Sequence, residues 1–370
     1  MSTITPIVMP KWGLEMREGT VTAWLVDEGA EIAVGTPILD VETDKISNAV
    51  EAPDPGLLRR KVAREGETLP VKALLGVLAD ASVSDAEIDA YVAAYVVPAA
   101  GSGEDEEASA YEFTEVDGIK VRHARRGEGG GVPVLFLHGF GGDLDNWLFN
   151  LDAVAESAPV IALDLPGHGQ STPRLPGTSL ADLAGFVARF MDAVGVPRAH
   201  LVGHSMGGAI ASRLALDQPQ RVASLTLVNS AGLGSEINLG YIDGFVSAES
   251  RRELKPVVEQ LFANPDLVTR QLLDDLLKYK RLDGVTELLR NLASGLFAGG
   301  RQAEQPGLEL EGTGIPVLVV WGREDRIVPA AHAGHAPPGA RVEVFDGAGH
   351  MVMMEKASDV NALIRRHVAG

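Results

Sequence analysis

Two rhythms of apolar and polar positions divide the chain. Over residues 1–80, short runs such as Thr20-Val-Thr-Ala-Trp-Leu-Val26, Pro37-Ile-Leu-Asp-Val-Glu42 and Lys45-Ile-Ser-Asn-Ala-Val-Glu51 are broken by turn residues. Such runs predict short β-strands with one buried face. Glu28-Gly-Ala-Glu-Ile-Ala-Val34 is echoed 37 positions later by Glu65-Gly-Glu-Thr-Leu-Pro-Val71, in its acid, glycine and apolar positions. Two such units facing each other bury a core that neither buries alone. Ser84 with Glu87 three residues on is a helix-start signature. Residues 84–95 therefore read as a short helix capping this module, inside an extension over 81–97.

From Val132 the rhythm changes. Residues 133–137, 160–164, 200–202, 224–228, 316–321 and 342–345 are nearly continuous apolar runs, the pattern of parallel strands covered on both faces. Segments of helical period, 179–194 and 207–216 among them, alternate with these runs. That alternation predicts a doubly wound α/β sheet. Between about 233 and 308 it stops, and 253–262, 267–277 and 285–296 are all helical in pattern, which reads as a helical lid inserted between two sheet strands. Residues 98–110 hold small, turn-prone and acidic residues with no large apolar side chain, and read as a flexible linker between an all-β domain at 1–80 and an α/β domain at 111–370. As a coil it spans roughly 20 Å, and at full stretch about 45 Å.

Composition narrows the function. The 370 residues are 45% hydrophobic, ample for two cores. The net charge is -19, of which -12 falls in residues 1–110, and a surface that acidic repels phosphate backbones and argues against nucleic-acid partners. The absence of cysteine removes disulfides, thiolate metal sites and any Cys nucleophile, and it suits a reducing compartment such as the cytoplasm. MSTITPIVMPKWG lacks the basic start and apolar run of a signal peptide. No stretch reaches the ~18 apolar residues of a membrane helix. The expectation is a soluble cytoplasmic protein without membrane or metal, whose nucleophile is Ser, Thr, Asp, Glu, Lys or His.

Ala199-His-Leu-Val-Gly203-His-Ser205-Met-Gly207 is a strand, a tight turn and a helix start, and G-x-S-x-G across that turn projects the Ser205 hydroxyl over the sheet edge. Its base is read as His350, in the turn Asp346-Gly-Ala-Gly-His350 after the last strand. His123 and His367 read as surface residues, and His332 and His335 lie in a loop rich in Ala, Pro and Gly. The orienting acid comes from Trp321-Gly-Arg-Glu324-Asp325, while the loop Val228-Asn-Ser-Ala-Gly holds no acid. An oxyanion hole is expected from the backbone N–H groups of Met206 and of the loop after the first core strand, where His138-Gly139-Phe140 resembles the H-G pattern of α/β-hydrolases and so implies the Phe140 amide. His138, Asp164 and His168 read as loop-holding residues, and Met351, Met353 and Met354 as core or pocket lining.

Residues 111–370 resemble an α/β-hydrolase with a helical lid, in Gly203–Gly207, in His138-Gly139-Phe140, in Leu163-Asp-Leu-Pro-Gly-His168 and in Trp321-Gly-x-x-Asp325-x-x-x-Pro329. The last pattern selects Asp325 over Glu324. The resemblance implies a triad of Ser205, Asp325 and His350, in the chain order of that fold.

Glu42-Thr-Asp-Lys45-Ile sits at a turn between two strands, near the start of the second half of the repeat. A lone lysine there is ordinarily just solvated. Residues 5–80, however, resemble the lipoyl domains of 2-oxo acid dehydrogenase complexes, with Met9-Pro-Lys-Trp-Gly-Leu near the start. Biotin carriers place methionines where this chain has Thr43, Asp44 and Ile46. The resemblance implies lipoate attached to Lys45.

As a whole the chain resembles the dihydrolipoamide acetyltransferase family of acetoin-cleaving (acetoin dehydrogenase) systems. That implies acetyl transfer from the lipoyl arm to coenzyme A by the Ser205 triad. It also implies a thiamine-diphosphate-dependent acetoin dehydrogenase component that loads the arm, and a dihydrolipoamide dehydrogenase that reoxidises it. The H-x-x-x-D-G of the usual acyltransferase core is absent near the C-terminus, which assigns transfer to the hydrolase-like domain. Nor is a subunit-binding domain recognisable in 81–110. Two alternatives stay open at this point: a lipoyl-tagged thioesterase or esterase with water as acceptor, and a non-catalytic carrier.

Overall fold

The structure, a computed structural model, describes residues 4–12, 16–43, 47–52, 54–98 and 111–370, in two compact units. In the first unit the described residues form two four-stranded antiparallel sheets. They contain β1 (Ile4–Val8), β2 (Glu18–Trp24), β3 (Glu31–Ile32), β4 (Pro37–Glu42), β5 (Ser47–Glu51), β6 (Gly56–Lys61), β7 (Thr68–Pro70) and β8 (Leu74–Ala79). The strand orders are β1-β8-β6-β3 and β5-β4-β2-β7. The 37-residue echo is structural: β3 and β4, moved on by 37, fall on the starts of β7 and β8. Each half completes the other. Gly29 N–H donates to Leu58 O and Gly66 N–H to Val21 O, both at 2.7 Å. Lys61 N–H donates to Glu28 Oε1 (2.7 Å), and Trp24 N–H to Glu65 Oε1 (3.1 Å). Val21, Ile38, Leu39, Val41, Leu58 and Leu75 fill the shared interior.

Helix α1 (Asp85–Ala94) begins with the predicted capping box of Ser84 and Glu87. Its Ile88 packs on Leu74, Val77 and Val83, so β8 is buried along its whole length. Arg59 donates to Asp80 O (2.9 Å), Val83 O (2.8 Å) and Asp85 (2.9 Å), and Tyr95 OH to Lys72 O (2.8 Å).

The second unit is built on an eight-stranded sheet. Its strands are β9 (Glu112–Val116), β10 (Ile119–Arg126), β11 (Val134–Leu137), β12 (Val160–Leu163), β13 (Ala199–His204), β14 (Val222–Val228), β15 (Val317–Gly322) and β16 (Arg341–Phe345). They run in the order β16-β15-β14-β13-β11-β12-β10-β9. Pairing is parallel from β12 to β16, while the β9–β10 hairpin adds antiparallel strands at one edge. That hairpin precedes the point where the sequence rhythm changes, and it corrects one expectation. His123 is not a surface residue: it lies buried in β10, bonded to Thr114 Oγ1 (2.9 Å) and packed edge-on against Phe190.

Helices α2 (Leu151–Ala155), α3 (Leu180–Ala193) and α4 (Met206–Asp217) cross between strands, and α9 (Val352–Glu355) and α10 (Ala357–Ala369) close the chain. The insertion between β14 and β15 holds α5 (Leu239–Ser247), α6 (Arg251–Val258), α7 (Arg270–Lys280) and α8 (Val285–Leu296). The helix expected over 253–262 is α6, which carries Pro256, followed by a 3-10 turn at Glu259–Leu261. Among the described residues no helix is long and apolar enough to cross a membrane.

One ion pair ties the early loops to the sheet. The Arg122 guanidinium, 2% exposed, grips fully buried Asp164 at 2.7 and 3.2 Å. Asp164 also accepts the backbone N–H groups of Leu144 (2.9 Å) and Gln170 (2.8 Å). Burial works against the Arg122 charge, but the attraction of Asp164, Asp145 and Asp143 holds it above its ordinary range. Removing one partner strands the other charge in the core. Arg122→Ala is expected to cost about 3–5 kcal/mol, read as a lowered denaturant midpoint for the transition of this unit. A shift equivalent to less than about 1 kcal/mol would mean the pair behaves as a surface one.

Candidate active site

Strand order reverses between β11 and β13, the place where ligand crevices form beyond the carboxyl ends of parallel strands. Ser205 sits there, between β13 and α4, at φ 52° and ψ −119°. This left-handed conformation is strained for a non-glycine residue. The turn closes because its flanks lack side chains: a Cβ on Gly203 would overlap Gly207, and one on Gly207 would overlap the Leu137 and His138 carbonyls. Ser205 N–H donates to Val228 O (3.1 Å), and Ala231 N–H donates to Ser205 O (3.0 Å).

The loops after β15 and β16 meet beside it. His350 Nδ1–H donates to Asp325 Oδ2 at 2.8 Å, both side chains being almost wholly buried. This leaves Nε2 as the unprotonated nitrogen of the neutral ring. Asp325 is held on every side, with Oδ1 accepting Ile327 N–H (2.8 Å) and Val328 N–H (3.0 Å) and Oδ2 accepting Asn229 Nδ2 (2.6 Å). Glu324, the competing acid, instead accepts Ala348 N–H at 3.1 Å. Asn229, at φ 43°, also donates to Gly349 O at 3.2 Å. Asn229 carries no carboxylate, and its role as an amide donor to Asp325 has no signature in the sequence around it.

The loop after β11 faces Ser205, and a Cβ on Gly139 would stand 3.1 Å from Ser205 Cβ. Met206 is the first residue of α4, so helix geometry supplies no acceptor for its N–H. Phe140 N–H has no backbone acceptor among the described residues. The Phe140 ring centroid lies 6.3 Å from that of Phe245, 6.1 Å from Phe297 and 6.4 Å from His168, each edge-on. His138 donates from Nδ1 to Gly139 O (2.8 Å) and accepts Leu165 N–H on Nε2 (2.9 Å), which fixes it as a loop clasp. His204 donates from Nε2 to His350 O (2.9 Å). Burial pushes His138 and His204 well below the ordinary histidine range, and His168 down to about 4. Met351, Met353 and Met354 are buried, and His332 bonds Glu236 at 2.9 Å.

Lys45 lies outside the described residues, as do most of the residues expected to form the linker. The strands on either side of residues 43–46 pair in register, Glu42 opposite Ser47, and Glu42 is exposed. The described strand ends on either side of Lys45 are thus held together, one of them exposed to solvent.

A family model for the alpha/beta hydrolase fold matches residues 132–357, and one for biotin-requiring enzymes matches residues 5–78. A meta-cleavage product hydrolase from Pseudomonas fluorescens superposes with a TM-score of 0.62 at 24% identity, over 69% of this chain and 96% of that one. At that identity it shows the fold alone. The fold and site thus define a carrier module joined to a member of the α/β-hydrolase family. A protein from Cupriavidus necator is 68% identical over 100% of this chain and 98% of its own length, and one from Pseudomonas putida is 50% identical over 99% and 100%. Both are dihydrolipoyllysine-residue acetyltransferase components of acetoin cleaving systems, and the chain belongs to that family.

The buried histidines predict a pH dependence. His168 is held neutral down to about 4 when folded, whereas the unfolded chain takes up that proton near pH 6.5. Between those values the unfolded state binds more protons, so stability falls as pH drops through that window. His168→Phe is expected to flatten this part of the urea-midpoint-versus-pH curve. An unchanged slope would show that His168 is already protonated in the fold.

Proposed function

We propose that the chain moves an acetyl group from the dihydrolipoyl arm on Lys45 to coenzyme A through Ser205, His350 and Asp325. What supports this most is the pairing of His350 with Asp325 beside a serine held in a left-handed turn, in a family whose other members carry the acetyltransferase name. When attached, lipoate supplies a thiol on a long arm that holds the acetyl group as a thioester.

Ser205 Oγ attacks the thioester carbon while His350 Nε2 takes the hydroxyl proton. The amides of Phe140 and Met206 bind the oxygen that gains the electron pair. His350 then returns the proton to the departing sulfur, which leaves the acetyl group on Ser205. In the second half His350 takes the proton of the coenzyme A thiol, whose sulfur attacks the acetyl-serine carbon, and then gives the proton back to Ser205 Oγ. Asp325 holds the His350 tautomer and stabilises the imidazolium formed in each half.

The partners implied are a thiamine-diphosphate-dependent acetoin dehydrogenase component that acetylates the arm and a dihydrolipoamide dehydrogenase that reoxidises it. The cytoplasm suits a chain without cysteines.

The test is product partition. Lipoylated protein given S-acetyl-dihydrolipoamide and coenzyme A is expected to form mainly acetyl-CoA, and Ser205→Ala to abolish it. Acetate as the main product would make the protein a thioesterase, and undiminished acetyl-CoA from Ser205→Ala would remove the triad mechanism. Asp325→Asn is expected to lower kcat by a factor on the order of 10³–10⁴, and Glu324→Gln by less than about tenfold; equal losses would reopen the choice of acid. Lys45→Arg is expected to stop mass addition by a lipoate ligase, and continued addition would place the arm elsewhere.

A further inference from the structure

The first half of the lid is hydrogen-bonded to the loops that carry the acid and the base. Asn238, the N-cap of α5, donates N–H to Ile327 O and Nδ2 to Arg326 O, both at 2.9 Å. At the far end of the same stretch, Met351 N–H donates to Leu261 O at 3.1 Å. Glu355, the last residue of α9, bridges the two sides. Its Oε1 accepts the N–H groups of Ala263 (2.8 Å) and Asn264 (3.3 Å), and its Oε2 accepts Gly349 N–H (2.6 Å). Gly349 immediately precedes His350, and its Cα faces the lid so closely that a Cβ there would stand 2.8 Å from Ala263 N. Hydrogen bonds from backbone N–H to a carboxylate are short and directional, so one side chain fixes two segments that are far apart in the chain.

We infer that Glu355 is a positioning residue that couples the lid segment 261–264 to His350, so that a seated lid and an aligned base occur together. Its consequence for catalysis rests on the transfer reading above. Acetyl-serine is exposed to water when the lid lifts, and lifting the lid pulls on the Gly349 amide through Glu355. The open form therefore admits water without an aligned base, which suppresses hydrolysis, and reseating restores the base for the thiol.

The closing experiment compares Glu355→Gln with Glu324→Gln in the full-length lipoylated chain. Gln accepts through one oxygen only, so it serves one side of the bridge and not both. Glu324 bonds the same histidine loop, at Ala348, with no hydrogen bond to the lid segment among the described residues. Glu355→Gln is expected to speed hydrogen exchange at both 261–264 and 348–351. It is also expected to lower kcat by about tenfold and to raise the acetate share of product at least about threefold. Glu324→Gln is expected to affect 348–351 and kcat alone, leaving the partition unchanged. Exchange changes confined to 348–351 in Glu355→Gln, or the same partition shift in both variants, would overturn the coupling. If Glu355→Gln does not fold, Ala263→Pro removes the nearer of the two lid-side donors, leaving only the longer Asn264 bond, after an extended Phe262 (φ −114°, ψ 146°) that tolerates a following proline; it should raise the acetate share likewise, and an unchanged share sinks the inference. A wild type that yields only acetate refutes the transfer reading, and the coupling is then decided by the exchange pattern.

Discussion

Side chains have no room at Gly203 and Gly207, and Ser205 between them adopts a backbone conformation that L-residues avoid. A conformation of this kind costs of order 1–3 kcal/mol and persists only when its surroundings over-determine it. Here β13 sets the entry and α4 the exit, while the bonds with Val228 and Ala231 hold the middle. Everything else in the site is placed relative to this turn. The loop after β11 can face the serine because Gly139 is bare on that side, and Asp325 and His350 arrive from the loops after β15 and β16, beyond β14 in the sheet.

Buried histidine is used in two ways within a few ångströms. His138, His168 and His204 find carbonyl oxygens or backbone N–H groups, and burial keeps them neutral. They act as fixed hydrogen-bonding rings. His350 alone among these has a carboxylate, that of Asp325, on Nδ1.

What could be read in the sequence was local chemistry. The G-x-S-x-G turn, Asp325 and His350 each sit in short segments whose residue types state their geometry, and the 37-residue echo carried the symmetry of the β unit. What escaped reading acts through the backbone or across the fold. Asn229 and Glu355 bond to groups about 96 and 92 positions away, and neither residue type is unusual where it stands. His123 lies among the polar residues of β10, whose buried face shows only once the hairpin is docked on β12. Pro256 lies within α6, a position that hydrophobic period alone does not mark.

The reciprocal bonds of Glu28 and Glu65 have a mechanical meaning for the carrier unit. Each carboxylate satisfies a backbone N–H of the opposite half, so neither half can peel away without stranding a donor of its counterpart. Such cross-bracing makes opening an all-or-none event instead of a gradual fraying. A force applied where the chain leaves β8 is therefore shared by both sheets before it reaches the β4–β5 hairpin. The carrier unit therefore responds to load as one body.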